Sequence, residues 1–225
     1  PFGRRLIRVI NSIGWRAKTA TRRQVSGGRP MTNVDGVILA AGRSSRMGAI
    51  NKLQVPLSGR TLLEHAKDNL GPQVDRLLVN GDTKLCGAAA VADKIAGFKG
   101  PLVGLYSALT SEQLSSAEYL MMVPCDGPFM PDNLVEALYQ KIVQTDADIA
   151  CISYQGFAQP TFSLWNKRVR PAIEQALLIE ENGGFKPLLG SLNSVYLDWP
   201  EQAINPFFNI NTPEDLAKAE RLLCL

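Results

Sequence analysis

Gly36-Val-Ile-Leu-Ala-Ala-Gly42-Arg-Ser-Ser-Arg46-Met-Gly48-Ala-Ile-Asn-Lys52 runs from an apolar stretch through small residues into a basic, glycine-rich bend. A short apolar run closed by glycine reads as a buried strand, here Gly36 to Ala40. Ala40, Ala41 and Gly42 let a ligand approach the backbone, and consecutive N–H groups in such a bend can cradle an anion. Arg46 can clamp a phosphate through two N–H donors, and Lys52 adds a mobile point charge. Together these residues describe a polyphosphate site; the alternative is a surface turn whose basic side chains are merely solvated. The standard phosphate fingerprints do not fit. Gly42 and Gly48 have five residues between them where a P-loop has four, no lysine directly follows, and no G-x-G-x-x-G is present.

Outward from this stretch, short apolar runs alternate with helical spacing, as βα units of a mostly parallel sheet require. Strands are expected at Arg76 to Val79, Tyr119 to Val123, Ile149 to Ser153, Thr161 to Leu164 and Ser194 to Leu197. Several are almost continuously apolar, as strands covered on both faces should be. Helical spacing occupies Thr61 to Leu70, Leu102 to Leu109, Asp132 to Val143 and Val169 to Ile179. Thr212-Pro213-Glu214-Asp215 announces a last helix by its N-cap threonine, its proline at the first helical position and its acid three residues after the cap. Gly183-Gly184 and Gly190 read as loops inside one domain. The expectation is a single α/β domain with a Rossmann-like sheet flanked by helices.

The chain has 225 residues, 45% hydrophobic and 20% charged, which is enough for a substantial core and excludes collagen, coiled coil and wholesale disorder. No apolar run approaches the roughly 20 residues of a membrane span. The net charge of +3 hides an asymmetry. Of 24 basic residues, eight fall before residue 31 with no acid among them, leaving 16 against 21 acids in the remainder. The body is therefore acidic, so neither a nucleic acid nor a membrane is an expected partner. Residues 1–33 are expected to be a basic, disordered extension and residues 34–225 the working domain. Met31 would serve as an initiator, so the arm reads as translated upstream or vector sequence, a native extension or a transit peptide.

Cys86, Cys125, Cys151 and Cys224 lie 39, 26 and 73 residues apart, which signals neither a zinc site nor a disulfide framework and suits a reducing cytoplasm. His65 is the single histidine and sits in a helical pattern, so histidine-based triads and His-rich metal sites are excluded or reduced to that residue.

The strand Tyr119 to Val123 runs into Pro124-Cys125-Asp126-Gly127-Pro128. Ligands of open α/β sheets collect at the carboxyl ends of strands, so Asp126 points at the site that the glycine-rich bend also lines. A carboxylate beside a triphosphate makes sense with a divalent cation between them, and Mg²⁺ takes one or two carboxylates plus phosphate oxygens. The bland reading of Asp126 is a turn cap. Asp93 is a second candidate for the metal or for polarising the phosphates, and Asn80 could read a base or ribose with its amide. On spacing alone each fits a turn or cap residue better than a ligand.

Leu39-Ala-Ala-Gly-Arg-Ser-Ser-Arg-Met-Gly48 followed by Lys52 resembles the L-A-[AG]-G-x-[SA]-x-R-M-G-x(2-4)-K signature of nucleotidyltransferases that load a phosphorylated acceptor. Asn80-Gly81, Gly100-Pro101-Leu102-x-Gly104, Pro124-Cys125-Asp126-x-Pro128, Gln159-Pro160-Thr161 and Phe208-Asn209-Ile210-Asn211-Thr212-Pro213-Glu214-Asp215-Leu216 resemble the ordered motifs of molybdenum cofactor guanylyltransferases, across residues 36–216.

The resemblance implies a nucleotidyltransferase fold and transfer of GMP from GTP to the terminal phosphate of molybdopterin, with release of pyrophosphate and dependence on Mg²⁺. It implies that Leu39, Ala40, Ala41, Gly42, Lys52, Asn80, Asp93 and Asp126 bind the nucleotide and that Asp126 holds the metal. Arg46, Lys52 and Asp126 would be catalytic, and Asn209 and Asn211 would lie on the molybdopterin side. Cofactor-biosynthesis proteins or apo-molybdoenzymes would be protein partners. Ala41 departs from the usual second glycine and matches cytidylyltransferases of the same cofactor, whereas the downstream motifs side with guanine. A cytidylyltransferase, another nucleotidyltransferase and a non-catalytic nucleotide-binding module are the alternatives.

Overall fold

The computed structural model describes residues 32–41, 52–95, 97 and 100–224. Chain order is β1 (Val34–Leu39), β2 (Pro56–Leu57), β3 (Arg60–Thr61), α1 (Leu62–Leu70), β4 (Leu77–Asn80), α2 (Thr83–Cys86), β5 (Ala90–Val91), α3 (Pro101–Leu109) and β6 (Tyr119–Pro124). There follow α4 (Leu134–Thr145), β7 (Ile149–Tyr154), β8 (Phe157–Asn166), α5 (Arg170–Leu178), α6 (Phe185–Ser191), β9 (Ser194–Asp198) and α7 (Pro213–Leu223). Among the described residues, seven strands form one sheet in the order β5-β4-β1-β6-β8-β7-β9, parallel except for β8, and β2 and β3 make a separate antiparallel pair.

Alternation along the strands builds a core on each face. Val34 and Ile38, with Met121 and Val123, join the cluster under α1 and α4, while Val37, Leu120 and Met122 face the other way, under α3 and α5. Both faces are covered, which is why these strands are apolar apart from Asp35. The expectation of a mostly parallel, helix-flanked sheet is met. Residues 1–31, which include most of the expected extension, lie outside the described residues. Its last two residues are tied to the body: Thr32 N donates to Asp75 Oδ1 at 2.7 Å, and Asn33 Nδ2 to Glu118 Oε2 at 3.3 Å.

Two expectations need correction. The segment after Gly184, read as loop, contains helix α6, held by the burial of Phe185 and Leu188 and by the Phe185 ring 5.8 Å from Trp165. The strand expected at Thr161 to Leu164 is ten residues long. It returns from β7 through Gln155 and Gly156, whose φ values of 51° and 79° match a two-residue hairpin turn. Pro160 interrupts its apolar pattern, and the ladder skips from Cys151 opposite Ser163 to Ile152 opposite Gln159, a bulge that tolerates a residue with no N–H.

Candidate active site

Sheet order places the switch of connection direction at β1: the chain first builds outward to β4 and β5, then crosses to β6 on the other side. Such a point opens a crevice beyond the carboxyl ends of the strands. Leu39 pairs in register with Asn80 on one side and Pro124 on the other, so three strands end level. The ties continue past the ladder. Ala40 N donates to Asn80 O at 2.7 Å, and Cys125 N donates to Leu39 O at 3.0 Å. Ala40 is half-buried and Ala41 exposed where the chain leaves the sheet toward the glycine-rich bend.

This edge gathers Leu39, Ala40, Ala41, Asn80 and Asp126, with Asp93 following the adjacent β5. Asp126 is half-buried, two residues past the end of β6. Its carbonyl accepts from Ile210 N at 2.9 Å, which brings the Asn209-Ile210-Asn211 segment to the same place. Asn209 Oδ1 is buried with no hydrogen-bond partner and lies 3.5 Å from where a Cβ on Gly127 would stand. Asn211 is exposed, and its N–H and that of Thr212 both donate to Asp215 Oδ2, at 3.0 and 2.9 Å. Gly42 and Arg46 lie outside the described residues; Lys52 opens a short 3-10 turn, Lys52–Gln54, that leads into β2.

Asn80 is 2% exposed, and its Nδ2 donates to Val91 O at 3.1 Å and to Asp93 Oδ1 at 2.8 Å. Asp93 itself is exposed. Gly81 closes the strand where a side chain would press on Ala40 Cβ and Cys86 Sγ, both 3.2 Å away. Burial pushes the Cys86 thiol up, with Lys67 opposing the effect and Asp82 adding to it.

Sequence reasoning missed the struts beneath the Asp126 loop. Asn69 Nδ2 donates to Pro128 O at 2.8 Å, and Gln73 Nε2 donates to Pro131 O at 2.9 Å while Gln73 Oε1 accepts from Val135 N at 3.0 Å. The available signal was polar residues four apart on the otherwise inward side of α1 and its 3-10 extension. Among the described residues, no helix is long and apolar enough to cross a membrane.

The MobA-like NTP transferase domain model matches residues 36–195. A molybdenum cofactor guanylyltransferase of Rhodopseudomonas palustris (strain BisB5) is 36% identical over 193 residues, covering 83% of this chain and 92% of the relative. One from Bradyrhizobium sp. (strain ORS 278) is 35% identical over 201 residues, covering 86% and 95%. The crystal structure of molybdopterin-guanine dinucleotide biosynthesis protein A from Archaeoglobus fulgidus shares the fold with a TM-score of 0.71 at 22% identity, over 84% of this chain and 98% of that one.

Proposed function

The chain belongs to the MobA-like NTP transferase family, and from that membership we propose that its strand-end crevice passes GMP from GTP to the terminal phosphate of molybdopterin. It is a nucleotidyltransferase of molybdenum cofactor biosynthesis. The observation that carries the site reading is the convergence on Leu39: Asn80 and Pro124 flank it in register, and Asp126 follows with the Asn-x-Asn segment bonded to its carbonyl.

An oxygen of the acceptor phosphate attacks the α-phosphorus of GTP. The bond from that phosphorus to the α–β bridging oxygen breaks, and pyrophosphate leaves with the electron pair. No protein nucleophile is needed; positioning and electrostatics lower the barrier. The N–H groups of the bend from Ala40 through Gly42 would cradle the phosphates, with Arg46 and Lys52 offsetting charge on the departing pyrophosphate. Asp126 would hold Mg²⁺, since a hard carboxylate at a strand end suits an ion that takes one or two carboxylates plus phosphate oxygens. When bound, that ion would supply positive charge that offsets the triphosphate. Asp93 would contact the nucleotide from beyond β5. Asn209 and Asn211 would meet the molybdopterin side, a reading supported by the unpartnered amide oxygen of Asn209. We place the reaction in the cytoplasm, where the cysteines stay reduced.

The test is pyrophosphate release with molybdopterin and Mg²⁺, comparing GTP with CTP, which Ala41 makes the relevant competitor. GTP should turn over in preference to CTP, and Asp126→Ala should lower kcat by about 10²-fold or more with an unchanged melting temperature. Full turnover by Asp126→Ala removes that residue from the site, and turnover restricted to CTP overturns the guanine assignment.

A further inference from the structure

We infer that Phe162 is a positioning residue for the transfer: its buried ring sets where Asp126 stands relative to Asn209, and so where the metal-side carboxylate meets the acceptor side. The inference rests on the proposed function and takes up the Gln159-Pro160-Thr161 motif, to which that function gives no task. In the structure this motif is the bulge of β8. On β7, Cys151 faces Ser163 and the next residue, Ile152, faces Gln159, so Pro160, Thr161 and Phe162 have no opposite number there. Pairing with β6 stops at Met122 opposite Ser163, one residue short of Phe162. Phe162 is thus released from both ladders, and bulges beside sites commonly re-aim a side chain. The bulge is firmly closed. Ser163 Oγ donates to Pro160 O at 2.7 Å and accepts from Trp165 Nε1 at 2.7 Å, and Ser163 and Trp165 are both fully buried.

The Phe162 ring meets both halves of the site. Gly127, directly after Asp126, is buried against it: a Cβ there would stand 2.6 Å from Phe162 Cζ and 3.5 Å from Asn209 Oδ1. Only glycine lets the turn settle on the ring without a shift. On the other side Phe207 stands edge-on to Phe162 with ring centroids 5.0 Å apart, and it is braced in turn by Trp199 at 5.7 Å and Tyr154 at 5.6 Å. Asn209 follows two residues later, and Ile210 N donates to the Asp126 carbonyl. The Asp126 turn and the Asn-x-Asn segment are therefore joined twice, by one backbone hydrogen bond and by one shared ring. In-line transfer needs its reacting atoms held close, and a displacement of about 1 Å can cost about 10²-fold in rate. A change at the ring alters how the two subsites face each other and leaves each of them whole, which predicts a loss in kcat rather than in KM.

Phe162→Leu and Gly127→Ala should each lower kcat by about tenfold or more, with the KM for GTP and for molybdopterin within about threefold of wild type. Leucine lacks the Cζ that faces Gly127. In the double variant the alanine methyl takes the space that the shortened side chain leaves, so kcat should recover to within about threefold of wild type. Losses that multiply in the double variant, losses confined to KM, or full kcat in both single variants would overturn the inference. A wild-type chain that leaves GTP unused sinks the proposed function instead.

Hydrogen exchange in the substrate-free protein reads the same join without turnover, and it decides the matter should Gly127→Ala fail to fold. In Phe162→Leu the amides of Cys125 and Ile210, which are bonded to Leu39 O and Asp126 O, should both exchange faster, by a larger factor than the amides of 105–109 in α3. Acceleration at only one of the two, or no more than α3 shows at either, would overturn the assignment.

Discussion

At the scale of single residues, β1 carries a buried charge at the end opposite the proposed site. Asp35, at the second position of that strand, is fully buried, and its carboxylate meets Lys167 Nζ at 2.7 Å, Ser115 N at 2.9 Å and Ser115 Oγ at 2.8 Å. Lys167 also donates to Ser115 O at 3.3 Å, so the ammonium is shared between a side chain and the backbone. Removing one partner of a buried pair costs more than the pair contributes, because the other charge is left desolvated. Lys167→Met should therefore lose about 3–5 kcal/mol of stability in urea unfolding. Its kcat/KM for GTP, measured below the lowered melting temperature, should stay within about twofold of wild type, since Asp126 lies past the other end of the sheet. A loss under 1 kcal/mol would show that Ser115 alone satisfies the carboxylate.

At the scale of elements, legibility follows how local the determinants are. The last helix was readable because its start is written in four adjacent residues: Thr212 Oγ1 accepts from Asp215 N at 3.1 Å, and the Asp215 carboxylate accepts from Thr212 N. The strand ends carrying Asn80 and Asp126 were readable for the same reason, each being an apolar run closed by a polar residue and glycine. Helix α6 was not. Gly183-Gly184 and Gly190 read as loop, and what orders the helix is the burial of Phe185 against Trp165, twenty residues away in sequence. The Asn69 and Gln73 struts likewise depend on partners distant in the chain. The α7 capping box has a consequence for the site, since the same Asp215 oxygen also holds Asn211 N. Thr212→Ala should cost about 1 kcal/mol of stability. It should also raise the KM for molybdopterin while leaving that for GTP within about twofold, as steady-state kinetics with each substrate varied will read. An equal rise in both would place the Asn-x-Asn segment on the nucleotide instead.

At the scale of the whole molecule, the site belongs to no single element. Its residues arrive on β1, β4 and β6 and on the segments after β5 and β9, and they are brought level by the sheet register. A nucleotide held at the proposed site would bridge the two directions in which the sheet grows from β1, so its binding energy should appear as stability of the entire domain. GTP at a hundred times its dissociation constant, with Mg²⁺, should add about 2.7 kcal/mol. For a domain of this size that corresponds to a rise of roughly 5–10 °C in melting temperature. The location of the added protection is the sharper measurement. Hydrogen exchange of the amides at 39–41, 80–81 and 125–127 should slow together on adding GTP and Mg²⁺, because each of those segments is tied to the next by the Ala40–Asn80 and Cys125–Leu39 bonds. Amides around Asp35 and Lys167 should slow only as far as global unfolding slows. Protection confined to one of the three strand ends would mean that the crevice does not act as one site.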